Sequence, residues 1–245
     1  MATRRVGVWL VGAKGGVATT LLTGLAALRQ RAIETVGLIT ETSAFAPLGL
    51  VGFDELVVGG HDIRSGPLGG EARRMWSESR AIAPELIDAA AGMFAEVERR
   101  LRPGTLVASG DRIRGLADRE AATVVETPRE AVDRIARDIG EFAGSERLDH
   151  VVVVNVASTE PPPSSPIPRD FAEVEPLLDD PVRCPLPASS LYFLAAAAAG
   201  ASYVNFTPST GATPACLRQV ALDRGIPHAG CDGKTGETLL KSVLA

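Results

Sequence analysis

The sequence predicts an α/β fold: a doubly wound, mainly parallel Rossmann-like sheet, followed by the start of a second α/β domain. Three observations carry this expectation. Val6–Val11 is a near-continuous apolar run that ends in a glycine-rich turn at Gly12–Gly16. Apolar runs of strand length alternate with amphipathic stretches of helix length along the chain. Aromatic residues make up only 4% of the 245 positions while alanine is abundant, a composition that suits helices packed closely on a sheet.

Val6–Val11 reads as a strand buried on both faces of a parallel sheet. A helix over Thr19–Arg29 and a second strand over Val36–Thr40 complete a βαβ unit of ordinary size. Residues 48–70 are glycine-rich and irregular, with a short strand at Glu55–Val58. Pro84–Leu101 has the pattern of one long amphipathic helix opened by proline. Pro128–Phe142 is a second, with Val132, Ile135 and Ile139 on one face, and Val151–Val156 is the clearest interior strand. A proline-rich stretch follows from Pro161 to Pro168, either a linker or an ordered crossover loop. Alternation then resumes with a helix over Ala188–Ala199, a strand over Ser202–Phe206 and a helix over Pro214–Asp223. A short strand over Pro227–Ala229 and a last helix from Thr235 end the series. The expected domain division places residues 1–180 in a dinucleotide-binding unit and 181–245 at the beginning of the next.

The net charge of −5 argues against a nucleic-acid footprint. Cys184, Cys216 and Cys231 show no CxxC spacing, and His61, His150 and His228 are scattered, so neither a disulfide framework nor a metal cage is expected. No apolar run has the length of a membrane span, and the one after Arg4-Arg5 leads into the glycine loop rather than a cleavage site. A cytoplasmic location is the default expectation.

Gly12-Ala13-Lys14-Gly15-Gly16-Val17-Ala18-Thr19-Thr20 lies between a strand and a helix, where backbone N–H groups and the helix dipole hold a phosphate. The stretch imitates a variant P-loop, but such a loop needs a lysine where Thr19 stands. Gly233-Lys234-Thr235 fails too, because its leading glycine would fall on His228. A dinucleotide reading survives better. By generic logic Glu41, at the end of the expected second strand, either binds the adenosine ribose or is a solvated acid.

Two segments carry a resemblance to a known family: Val151–Glu160, reading VVVVNVASTE, and Ala229–Ala245, reading AGCDGKTGETLLKSVLA. With Tyr203–Ser209 and Gly60-His61-Asp62-Ile63, they are similar to the myo-inositol-1-phosphate synthases, and the match covers most of the chain in order. The resemblance implies NAD as cofactor. It places Ala157, Ser158 and Thr159 on the nicotinamide side and makes Asp62 the ribose-binding acid in preference to Glu41. In the glycine loop it assigns cofactor contact to Gly12, Lys14, Gly15, Gly16 and Val17, with Gly16-Val17 where the family carries two asparagines. Thr207, Asp232 and Thr235 complete the implied cofactor set, although Asp232 also suits an N-terminal cap for the last helix.

The implied reaction is a redox-neutral cyclisation of glucose 6-phosphate: oxidation at C5, attack of an enolate on the C1 aldehyde, and reduction of the new ring ketone. Sugar-phosphate substrate, catalytic and oligomerisation roles for the second domain, and a homo-oligomer (a tetramer in the family) follow from the same resemblance. Lysines suit phosphate and oxyanion, yet the chain has only Lys14, Lys234 and Lys241, and the family's catalytic lysines fall beyond Ala245. Lys234 alone is a weak stand-in. The alternatives are a short non-catalytic NAD-binding relative and a family member acting on another sugar phosphate.

Overall fold

The computed structural model describes residues 4–118, 125–163 and 165–233. Six strands form a single parallel sheet in the order β3-β2-β1-β4-β5-β6. In chain order the elements begin with β1 (Val6–Val11), α1 (Gly16–Arg29) and β2 (Leu56–Asp62). Helices α2 (Leu68–Ser79), α3 (Pro84–Ala89) and α4 (Ala91–Arg99) lead to the short β3 (Leu101–Pro103). After α5 (Asp111–Arg114) come α6 (Pro128–Glu146), β4 (His150–Asn155) and α7 (Phe171–Val174). The described chain closes with α8 (Ala188–Ala198), β5 (Ser202–Asn205), α9 (Ala215–Arg224) and β6 (His228–Ala229).

Strand β1 lies inside the sheet, between β2 and β4, as its two-faced apolar character requires. Trp9 and Val11 face one layer and pack with Ile135, Ile139 and Phe142 of α6 and with α8 and α9. Leu10 faces the other and packs with Leu22 and Leu25 of α1, Leu68 and Ala72 of α2, and Phe94 and Val97 of α4. Each such side chain contributes roughly 1.5–3 kcal/mol on full burial, so two cores, one per face, hold the sheet. Helix α8 is apolar all round because it lies inside the first of these cores, with Trp9 and α6, where even Ser189 and Ser190 are buried. Helix α6 starts at a capping box: Thr127 Oγ1 accepts the Glu130 N–H at 3.2 Å, and Glu130 Oε2 accepts the Thr127 N–H at 2.7 Å.

Three expected elements are corrected. Val36–Thr40 is not a strand: it lies in turns and a short 3-10 segment, with Val36 85% and Ile39 68% exposed. The second strand is β2 instead, longer than the expected Glu55–Val58 and ending on Asp62. Its Gly59-Gly60 pair is a packing device. A Cβ on Gly60 would stand 2.2 Å from the Leu10 carbonyl oxygen, and one on Gly59 2.9 Å from the Trp9 ring. The expected single helix over Pro84–Leu101 breaks at Ala90 into α3 and α4, and its last residue is already in β3. The sheet continues through the boundary expected near residue 180, since β5 and β6 pair onto β4. The expected last helix lies outside the described residues.

Candidate dinucleotide-binding site

Strand order reverses between β1 and β4: the chain winds outward through β2 and β3, returns, and then continues through β5 and β6. Loops leaving the carboxyl ends of β1 and β4 diverge at this point, which is where open α/β sheets bind ligands. Here they open a cleft of about 820 Å³. Gly12 turns the chain out of β1 at φ +83°, and a Cβ on it would lie 2.7 Å from the Ala157 Cα. The two diverging loops therefore touch backbone to backbone at the cleft floor.

The glycine loop is fixed from β2. Gly12 and Ala13 donate their N–H groups to the His61 carbonyl, at 2.9 and 3.1 Å. Lys14 N–H donates to Asp62 Oδ2 at 2.6 Å. Asp62 Oδ1 accepts from the Arg64 N–H at 2.9 Å and from Arg64 Nε at 3.3 Å. Helix α1 then begins at Gly16 with Gly15 as a cap that offers no side chain and with no acid in its first turn. The first amides of an α-helix have no intrahelical acceptor, so this end of α1 faces the cleft with donors and a positive dipole.

Of the residues expected to bind cofactor, Gly12, Gly15, Gly16, Val17, Asp62, Ala157 and Ser158 line this one cleft. Lys14 and Thr159 do not line it. The Lys14 ammonium is turned outward and donates to the Ser65 carbonyl at 2.9 Å. Thr207 is buried beneath the rim: its hydroxyl donates to Asn205 Oδ1 at 2.8 Å and accepts the Ser209 N–H at 3.1 Å, and Ser209 lines the cleft. Asp232 stands just past β6, exposed and outside the lining. Thr235 and Lys234 lie outside the described residues. Glu41 is exposed in its 3-10 turn and belongs to a different part of the surface.

The sequence reading missed a second group of cleft residues: His61, Arg64, Glu71, Arg74, Thr105, Glu160, Ser189 and Tyr192. His61 is fully buried. Its Nδ1 lies 2.8 Å from Trp9 Nε1, and its Nε2 lies 3.0 Å from Asp138 Oδ2. Because an indole N–H only donates, Nδ1 is the acceptor and Nε2 carries the proton. Burial pushes this imidazole below its ordinary pKa, against the opposing pull of Asp138. The contact continues outward through Arg134, 3.6 Å from Asp138 and bonded at 2.9 and 2.8 Å to both oxygens of Glu126. Arg134 also donates to the Pro103 carbonyl at 2.8 Å, tying the end of β3 to α6.

Glu160 sits on the opposite wall. Its Oε1 accepts the Ser189 N–H at 2.6 Å in the first turn of α8, and its own N–H donates to Ser209 Oγ at 3.2 Å. Burial pushes its carboxyl above the usual range, with the Ser189 and Ser209 hydrogen bonds opposing. Among the described residues no cluster of His, Cys, Asp and Glu could hold a metal ion, and no helix is long and apolar enough to cross a membrane.

This architecture has relatives. A family model described as myo-inositol-1-phosphate synthase, for its NAD-binding domain, matches residues 6–245. The chain belongs to that family. The inositol-3-phosphate synthase 1 of Bacteroides thetaiotaomicron is 28% identical over 261 residues, covering all of this chain and 58% of that protein. The inositol-3-phosphate synthase of Drosophila melanogaster is 27% identical over 277 residues, covering 98% of this chain and 46% of its own length. The chain thus spans about half the length of the curated relatives it matches. Among solved structures, the inositol-3-phosphate synthase of Caenorhabditis elegans superposes with a TM-score of 0.78 at 20% identity, over 98% of this chain and 51% of that one. A myo-inositol-1-phosphate synthase-related protein from Thermotoga maritima gives 0.67 at 22% identity, over 98% and 58%. At that identity the two structures establish the shared fold. The family is one of NAD-binding isomerases, and NAD is its cofactor.

Proposed function

We propose that this chain is the NAD-binding part of an isomerase that converts glucose 6-phosphate to a myo-inositol phosphate by oxidation, intramolecular aldol cyclisation and reduction. The observation that carries the reading is the cleft at the β1/β4 divergence, where an uncapped helix end and two bare glycines meet the family's own cofactor class. Its volume lies within the range of cofactor-sized pockets, roughly 300–1,000 Å³.

NAD, when bound, supplies the hydride acceptor that an oxidation needs and the donor that a later reduction needs. The residues of this chain hold and shield it. The amides of Gly16 and Val17 face its diphosphate, the Gly15 N–H being held by the Gly12 carbonyl at 3.0 Å, and Asp62 fixes the loop that presents them while retaining acceptor capacity for a ribose hydroxyl. Ala157 and Ser158, with Thr159, form the nicotinamide side, and Thr207 shapes the rim through Ser209. Asp232, just past β6, and Thr235 enter the proposed cofactor set on the family resemblance. Tyr192 and Ser189, on the buried helix α8, keep water from the floor. Sugar-phosphate recognition, enolate stabilisation and homo-oligomer formation belong to the family's second domain in this reading.

The test has two arms. NAD should raise the melting temperature of the chain, as any ligand that binds only the folded state must. Purified protein incubated with NAD and glucose 6-phosphate should be assayed for inositol phosphate, alone and after supplementation with the residues its relatives carry beyond this span. Absence of any NAD-dependent stabilisation would sink the reading.

A further inference from the structure

Two cations line the cleft near the glycine loop, and they differ in what they have left to give. Arg74 is committed to acids on its own helix, with Nε and NH2 on the two oxygens of Glu71 at 3.0 and 2.6 Å and NH1 on Glu78. Arg64 uses only its backbone N–H and its Nε, both on Asp62 Oδ1. That single side-chain bond anchors the guanidinium by its inner edge. Its NH2 then lies 4.0 Å from where a Cβ on Gly15 would stand, so the outer edge of the fork leans across the uncapped start of α1. Among the described residues, no acceptor is hydrogen-bonded to Arg64 NH1 or NH2. The side chain is 34% exposed, open to the cleft rather than packed away.

Lys14, the cation that belongs to the loop itself, is diverted to the Ser65 carbonyl. The position a loop lysine would take over a phosphate is therefore covered from β2 by Arg64. We infer that Arg64 is a phosphate-binding residue of this site, its NH1/NH2 edge closing over the diphosphate of the dinucleotide from the side opposite the α1 amides. A planar fork with two parallel donors suits a phosphate, and its anchoring on Asp62 holds it in place before ligand arrives. This rests on the NAD reading and deepens it.

Arg64→Ala and Arg64→Lys are the variants, since the bond from residue 64 N–H to Asp62 survives in both. Calorimetry against NAD, ADP, adenosine and NADP reads the result, with melting curves as a check on folding. Expected for Arg64→Ala is a loss of tenfold or more in affinity for both NAD and ADP, with adenosine unchanged and Arg64→Lys partly restored. Equal NAD affinity in wild type and Arg64→Ala overturns the assignment. A loss confined to NADP overturns it too, because the guanidinium would then read a ribose 2′-phosphate. If wild type binds ADP through Arg64 but not NAD, the phosphate role stands and the cofactor reading falls. If it binds neither, both fall.

Discussion

The Nδ1 atom of His61 accepts the indole N–H of Trp9 at 2.8 Å, from the neighbouring strand, and this one bond decides which nitrogen of a buried imidazole carries its proton. A second proton on Nδ1 would break the bond and place a charge in the core.

That relationship has a pH signature. The folded pKa of His61 is lowered by burial, so between it and the unfolded value of 6.5 the unfolded state binds the extra proton. Stability therefore rises with pH through this window and is lost as pH falls below about 6.5. Urea unfolding at pH 7.5 and 6.0 should show wild type weakening at the lower pH and His61→Asn weakening less. The variant itself should cost about 1–3 kcal/mol at pH 7.5, because Trp9 and Asp138 lose a well-placed partner. Identical slopes in the two proteins would exclude His61 as the titrating group.

Gly12 is required twice, by φ +83° and by the 2.7 Å approach of Ala157. Gly12→Ala should cost about 1–3 kcal/mol from conformation alone, with the clash against Ala157 added to it. Since the displaced backbone is the cleft floor, NAD-induced stabilisation should vanish in the same variant. A melting curve that matches wild type would contradict this.

Asp62 was expected to act on the ligand alone, yet its carboxylate accepts from Lys14 N, Arg64 N and Arg64 Nε. Asp62→Ala should therefore lower both NAD affinity and thermal stability. Loss of charge-assisted bonds to part-buried amides implies about 1.5–3 kcal/mol of folding stability. Normal melting with lost NAD binding would return Asp62 to a purely ligand-binding role.

Glu160 titrates in the opposite sense to His61. Its folded pKa is raised above 4.5 by burial, so its contribution is present below pH 4.5 and declines as pH rises through the folded value. Glu160→Gln keeps an acceptor for the Ser189 N–H and removes the buried charge. Relative to wild type, the glutamine variant should gain stability between pH 4.5 and 7.5. A wild type that becomes the more stable of the two over that range would show that the ionised carboxylate is compensated.

Much of this was legible in the sequence, for physical reasons that also explain the failures. Strand β1 announced itself because both faces of it are buried, and so did β4. Strand β2 did so only over its first residues, since Gly59 and Gly60 replace side chains at the points where Trp9 and the β1 backbone come closest. The apolar residues at 36–39 took its place in the reading and lie exposed instead. The glycine loop was legible because backbone chemistry leaves a local pattern, whereas Asp62, Ala157 and Ser158, which line the same cleft, were pointed to by the family resemblance. His61 and Arg64 were not, because their partners Trp9, Asp138 and the Gly15 surface become neighbours only through strand register and helix packing. Glu160 sat in view at the end of the β4 motif, but its burial depends on α8, which arrives almost thirty residues later.

The pairing of β1 with β4 also sets a schedule. Arg5 and Asp149, bonded at the start of that ladder, are 144 residues apart. On a ribosome adding about 5–20 residues per second, β1 emerges roughly seven to thirty seconds before its second neighbour exists. Until then it can pair only with β2, while its other edge and the apolar face destined for α6 remain open to solvent and to other nascent chains. Long-range parallel closure of this kind is slow as well as late. Protein yield in a producing cell should therefore depend on how well that half-built sheet is sheltered, and substitutions that leave the finished molecule untouched can still act there.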